Sequence, residues 1–181
     1  MVMGKLAFAL ATALAIIPGV GHAQMTLDMT QVTCASYLAM SPDQGRVFSA
    51  WMSGWYNQKL GRTTVSVDNF AKYVGIVHQW CTGNPSTTVM TILNNSDPLP
   101  GPPSGLKVDM SQITCKQYLS SAADRQDMIA YWLSGYFRAS RNQPTFDFQR
   151  FADNKSAVGK YCKSKKRWKE TVITAIQNSA R

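Results

Sequence analysis

The sequence predicts an all-α protein made of two tandem small helical domains, each closed by one disulfide. Three observations predict it. The chain repeats itself at an offset of 81 residues, its four cysteines fall into two pairs of equal spacing, and its apolar residues recur at helical intervals.

The repeat is the strongest of the three. LDMTQVTCASYL (27–38) aligns with VDMSQITCKQYL (108–119), and AWMSGWY (50–56) with YWLSGYF (131–137). Residues 27–81 and 108–162 share 16 identities over 55 ungapped positions. Beyond the second cysteine, TVMT (88–91) matches TVIT (171–174) once two residues are inserted. Two copies are too few for a solenoid, so tandem small domains are expected.

The elements follow in order. Residues 1–23 read as a secretory signal peptide cleaved after Ala23: Lys5, a 12-residue apolar stretch from Leu6 to Ile17, then Gly21-His22-Ala23. That stretch is short against the ~20 residues a spanning helix needs. The first domain is expected over 24–93 and the second over 106–181. Between them, NNSDPLPGPPSG (94–105) has the proline-rich composition of a semi-rigid linker.

Within each copy, Thr33 and Thr114 are expected to cap a short helix that begins with the first cysteine. Ser41-Pro42-Asp43-Gln44 has the form of a capping box with proline at the first helical position, and Ser121-Ala122-Ala123-Asp124 resembles it. The next helix carries Val47, Phe48, Trp51, Met52 and Trp55, matched by Met128, Ile129, Trp132, Leu133 and Tyr136. A third carries Phe70, Tyr73, Val77 and Trp80, matched by Phe151, Val158 and Tyr161. A last helix is expected over about 86–95 and 164–179. TTVSV (63–67) is read as loop, because its counterpart contains Pro144.

Cys34 and Cys81 are 47 residues apart, as are Cys115 and Cys162. An even cysteine count in an exported chain predicts two disulfides. The absence of C-x-x-C and of a histidine cluster argues against zinc or redox chemistry. Equal spacings favour pairing within each copy, although spacing alone also admits pairing across copies. Closing such a loop is worth about 4 kcal/mol in the chain-entropy model, a large share of the stability of a domain of this size.

Charge separates the copies. Residues 25–96 carry four basic and three acidic side chains, whereas 106–181 carry fourteen and six. Lys160, Lys163, Lys165, Lys166, Arg167 and Lys169, with Trp168 among them, form a candidate contact for an anionic envelope surface, lipid or polysaccharide. Nucleic acid is not an expected partner of an exported chain. One glutamate, Glu170, and two histidines, His22 and His78, give little material for catalysis or metal binding. No catalytic residue, metal or cofactor is expected, and the chain reads as a non-enzyme.

The T-C-x-x-Y-L start, W-M-S-G-W-Y and W-L-S-G-Y-F in the central helices, and the second cysteine 47 residues on resemble the HdeA/HdeB family of periplasmic acid-stress chaperones. The resemblance covers both copies. It implies an all-α fold of four or five helices with one disulfide per copy. It also implies dimers that are inactive at neutral pH, and that part and loosen in acid to hold other proteins on exposed apolar surface. Family members carry acidic residues just after the first cysteine, where this chain has Ala35-Ser36 and Lys116-Gln117. The family's cysteines fall on Cys34, Cys81, Cys115 and Cys162.

The function expected is therefore an acid-activated holdase, with unfolded or acid-denatured periplasmic proteins as partners. The alternative is an envelope binding module acting through the basic second domain. Carboxylates present in both copies are the candidate acid triggers: Asp28 with Asp109, and Asp43 with Asp124. Trp51, Met52, Trp55, Trp132, Leu133 and Tyr136 are the candidate client or interdomain surface. Family members dimerise, so two copies on one chain predict an intramolecular pseudo-dimer, with Ser53-Gly54 and Ser134-Gly135 allowing close approach.

Overall fold

The computed structural model describes residues 26–95 and 105–179. The expected signal peptide and all but the ends of the expected linker lie outside the described residues. The first copy runs β1 (Thr26–Asp28), a 3-10 turn (Met29–Gln31), α1 (Cys34–Leu38), α2 (Pro42–Lys59), β2 (Thr64–Ser66), α3 (Val67–Gly83) and α4 (Val89–Asn95). The second runs β3 (Lys107–Asp109), α5 (Cys115–Ser120), α6 (Ala123–Ala139), β4 (Thr145–Asp147), α7 (Phe148–Cys162), a 3-10 turn (Lys165–Arg167) and α8 (Val172–Ser179).

Local chemistry sets the helix starts. Thr33 Oγ1 accepts the amide of Ser36, and Thr114 Oγ1 that of Gln117. Ser41 and Gln44 close a reciprocal capping box ahead of α2, with Pro42 at its first position. The second copy departs from expectation here. The residue preceding α6 is Ala122, which offers no side-chain cap, while Ser121 Oγ donates back to the Gln117 carbonyl at 2.8 Å and so ends α5. Both central helices are followed by a residue in the left-handed region, Gly61 (φ 63°) and Asn142 (φ 51°), the two residue types that adopt it most readily.

The disulfides join Cys34 to Cys81 and Cys115 to Cys162, with Cα atoms 4.8 and 5.0 Å apart. Each ties the short first helix to the end of the third, and all four cysteines are fully buried. The last helices are shorter than their periodicity predicts. The segment 164–179 is interrupted after its 3-10 turn, because Lys116 N and Cys115 N take the carbonyls of Trp168 and Glu170. Trp80, expected on the apolar stripe of α3, is 41% exposed.

Residues 63–67 are not all loop. Thr64–Ser66 pairs antiparallel with Lys107–Asp109, and Thr26–Asp28 pairs likewise with Thr145–Asp147. Pro144 does not prevent this, since it lies ahead of β4 and contributes only its carbonyl, which accepts Met29 N at 3.0 Å. In each pair the two strands come from different copies, and the registers match under the 81-residue offset. Each copy thus completes its strand pairing only on the other.

Candidate functional site

The described residues of the two copies meet chiefly where α2 lies across α6. Gly54 and Gly135 sit at the crossing. A Cβ on Gly54 would collide with the carbonyl oxygen of Trp132, and one on Gly135 with that of Trp51. Only glycine lets the two backbones come this close, which accounts for a helix-weakening residue at matched positions. Trp132 Nε1 donates to Ser53 Oγ at 3.2 Å across the contact.

The six residues expected to form one apolar surface divide into two groups. Trp51, Trp55, Trp132 and Tyr136 flank the crossing and stack in pairs, Trp51 on Trp55 at 5.2 Å and Trp132 on Tyr136 at 5.1 Å. Met52 and Leu133 turn into their own copies, lining cavities built wholly from first-copy and second-copy residues respectively. All but the half-buried Tyr136 are buried. The indole nitrogens of Trp51 and Trp55 are buried with no acceptor among the described residues. Such unpaired donors are costly inside and are relieved by contact with water.

The two cores also interlock. Phe146 of β4 and Ala139 of α6 lie in the core of the first copy, and Val65 of β2 packs on that of the second. Val65 and Phe146 are matched positions, so the exchange is reciprocal.

The four candidate triggers do not gather in one place. Asp28 and Asp109 end the strands β1 and β3 at the junction of the copies. Asp28 accepts from Thr30 N at 2.9 Å and Thr30 Oγ1 at 2.7 Å; Asp109 accepts from Ser111 N and Oγ at the same two distances. Asp109 accepts in addition from the hydroxyl of Thr63 in the other copy. Hydrogen bonds from Ser111 hold the Asp109 carboxyl below its usual range, partly opposed by burial and helped by Thr63. The position matching Thr63 is Pro144, which has no hydroxyl to give Asp28. Asp43 and Asp124 stand exposed in the first turns of α2 and α6, where Asp43 pairs with Arg46 at 2.9 Å. An exposed pair of this kind contributes at most about 1 kcal/mol.

Of the basic strip, Lys160, Lys163, Lys165, Lys166 and Lys169 are exposed. Arg167 is half-buried, with its guanidinium 3.8 Å from the Tyr161 ring centre. Trp168 is 36% exposed, and Lys116 Nζ lies 5.9 Å from its ring centre. Tyr161 OH donates to Glu170 at 2.6 Å, and that bond, with burial and the carboxylate's charge, raises its pKa.

Sequence reading passed over Arg138, Arg141 and Arg150, which the fold gathers on one side of the second copy. They are scattered along the chain and form no run. Comparing the copies position by position would have flagged Arg138, whose counterpart is the uncharged Asn57. Among the described residues, no helix is long and apolar enough to cross a membrane.

Comparison with known proteins bears on all of this. No curated protein and no solved structure matches the chain. The profile of the HdeA/HdeB family, however, matches residues 1–91 and again residues 97–171. Two matches in tandem, each spanning a disulfide-closed helical unit, make this chain a member of the HdeA/HdeB family, whose members are periplasmic acid-stress chaperones and not enzymes.

Proposed function

We propose that the protein is an exported, acid-activated holdase in which the two copies act as a covalently tethered pseudo-dimer. In this reading they stay docked and inactive at neutral pH. In acid they part, and the faces of α2 and α6 take up unfolded periplasmic proteins. The observation that carries the reading is the burial of Trp51, Trp55 and Trp132 at a crossing between two units that each have a disulfide of their own. Separation would uncover aromatic surface and break the two inter-copy strand pairs, while each disulfide keeps the helices of its own unit tied together.

The electrostatics run in the required direction. Asp109 has a folded pKa below its unfolded value. The stability it contributes is therefore present above the ordinary aspartate range, near pH 4, and is lost as pH falls through the folded value. Protonating every carboxylate while charging His78 takes residues 24–181 from a net +8 to about +19, and self-repulsion then favours separation.

Light scattering from an acid-denatured periplasmic protein, with and without the oxidised chain, tests the proposal. Suppression of aggregation is expected at about pH 2–3, below the carboxylate range, and not at pH 7. Equal activity at both values, or none at either, overturns it. Small-angle scattering should show a compact monomer at pH 7 that expands in acid. A two-lobed extended shape at both pH values removes the pseudo-dimer.

A second reading rests on the exposed Trp168 among exposed lysines 163, 165, 166 and 169: contact with an anionic envelope surface at neutral pH. Sedimentation with anionic vesicles at pH 7, lost in K165A/K166A, supports that reading. Absence of binding removes it.

A further inference from the structure

The two copies differ most in a cavity that occupies matched positions. In the first copy it is about 60 Å3 and is bounded by Tyr37, Met52, Tyr56, Tyr73, Val77 and Val89, among others. In the second it is a groove of about 600 Å3, bounded at the same places by Tyr118, Leu133, Phe137, Asn154, Val158 and Val172. The difference has identifiable causes. Tyr73 meets Tyr56 edge-on, ring centres 6.4 Å apart, and the pair takes up room in the first cavity. The matching positions hold Asn154 and Phe137, so the second ring is missing. Val74 is replaced by Lys155 and Asn57 by Arg138, which puts cations where the first copy has uncharged side chains.

The groove has two chemically distinct parts. Its floor is apolar, built from Leu133, Phe137, Val158, Val172 and Ile176. Its rim carries Arg138, Arg141 and Arg150, with Asp147 as the carboxylate beside them. Lys155 is also on the rim but is engaged by Asp127. Burial and the neighbouring Arg150 and Arg141 together weaken the hold of Arg138 on its proton, against the pull of Asp147. Three arginines held against one carboxylate leave an excess of positive charge that an anion would neutralise, and guanidinium groups suit carboxylate and phosphate oxygens. A volume of this size falls within the range of small-molecule sites.

We propose that this second-copy groove binds a single-chain amphiphile with an acidic head group, its acyl chain on the apolar floor and its carboxylate or phosphate between Arg138, Arg141 and Arg150. The site is separate from the α2–α6 crossing and from the basic strip at 160–169, and it does not depend on acid activation. The first copy has no such site, because Tyr73 takes up the space and Asn57, Leu60 and Asn69 stand where the second copy has its three arginines.

Titration of the full-length oxidised chain at pH 7 tests this, with dodecanoate, dodecyl phosphate, dodecanol and acetate kept below micelle-forming concentrations. One equivalent of dodecanoate or dodecyl phosphate should bind per chain. The ranking of these two tells which head group the rim prefers. Dodecanol should bind at least tenfold more weakly, and acetate not at all. Shortening the chain should weaken binding by roughly fourfold for each buried methylene lost. R138A/R150A should reduce dodecanoate affinity at least tenfold while leaving dodecanol unchanged. N154Y, which restores the first copy's ring, should reduce the affinity for both, and K165A/K166A should change neither. A photoreactive dodecanoate analogue on the unaltered chain should label second-copy peptides, which guards against variants that misfold. No saturable dodecanoate binding, labelling confined to the first copy or to the α2–α6 crossing, or equal affinity for dodecanol overturns the proposal.

Discussion

Residues 26–95 and 105–179 build the same helices in the same order from sequences that are mostly different, and they part company in two ways. The first copy is nearly neutral and keeps only about 60 Å3 at this cavity; the second is strongly basic and keeps about 600 Å3 at the matching place. What stays identical is revealing. The cysteines, the capping threonines, Ser53-Gly54 with Ser134-Gly135, and the tryptophan before each of those dipeptides are kept in both copies. These residues close each unit or join the units to each other. Positions 57, 73 and 74 and their counterparts lie outside the disulfides and the glycine crossing and line the cavity instead, and there the copies diverge. The scaffold and the junction are shared, while the cavity belongs to one copy.

The largest effect is expected at the crossing. G54A and G135A each push a methyl group into the facing backbone. Each should therefore destabilise the chain by about 3 kcal/mol, at the upper end of the range for overpacking. G75A and G159A, on helices with open space around the glycine, should instead stabilise it by up to about 1 kcal/mol. Urea unfolding of the four variants checks this. If all four behave alike, the two helices do not meet at these glycines.

The helix starts offer a smaller and reciprocal test. S41A removes a cap from α2 and should cost about 1 kcal/mol, whereas A122S supplies one to α6 and should gain a similar amount. Thermal melts of the two variants should move in opposite directions. A destabilising A122S would show that the chain at 121–123 is held for another purpose.

The smallest effect concerns Asp109, which is partly exposed and so screened by water. Its pKa is depressed in the folded state, so D109N should lower stability at pH 7 and flatten the loss of stability below about pH 4. T63V should remove part of the same slope, because it deletes the bond that crosses between copies. P144T would offer Asp28 the corresponding hydroxyl and should steepen the slope. Unfolding measured across about pH 2–7 reads all three. An unchanged slope in D109N would show that this carboxylate takes no part in the acid response.

Much of the fold was legible because its signals are local. A threonine two or three residues ahead of an amide, a proline in a first turn, and apolar side chains every three or four residues act within one helix, so the sequence displays them directly. The strands were not legible. Thr64–Ser66 and Thr145–Asp147 are three-residue segments whose partners come from the other copy, and no local pattern announces a neighbour some 40 to 120 residues away. The interruption at 168–171 was hidden for the same reason, since carbonyls there are taken by the amides that open α5.

The duplication, the cysteine spacing, the helical character of each unit and the basic bias of the second are written in the chain itself. These follow from periodicity, identity and charge, which need no coordinates. Which faces meet is set by packing. Met52 and Leu133 share a helical stripe with Trp51 and Trp132, yet they serve separate cores, because the glycine-centred crossing leaves room for only part of each stripe. Tertiary packing likewise decided that Arg138, Arg141 and Arg150 share one rim, since α6, the loop after it and α7 converge there although the residues lie apart in the chain.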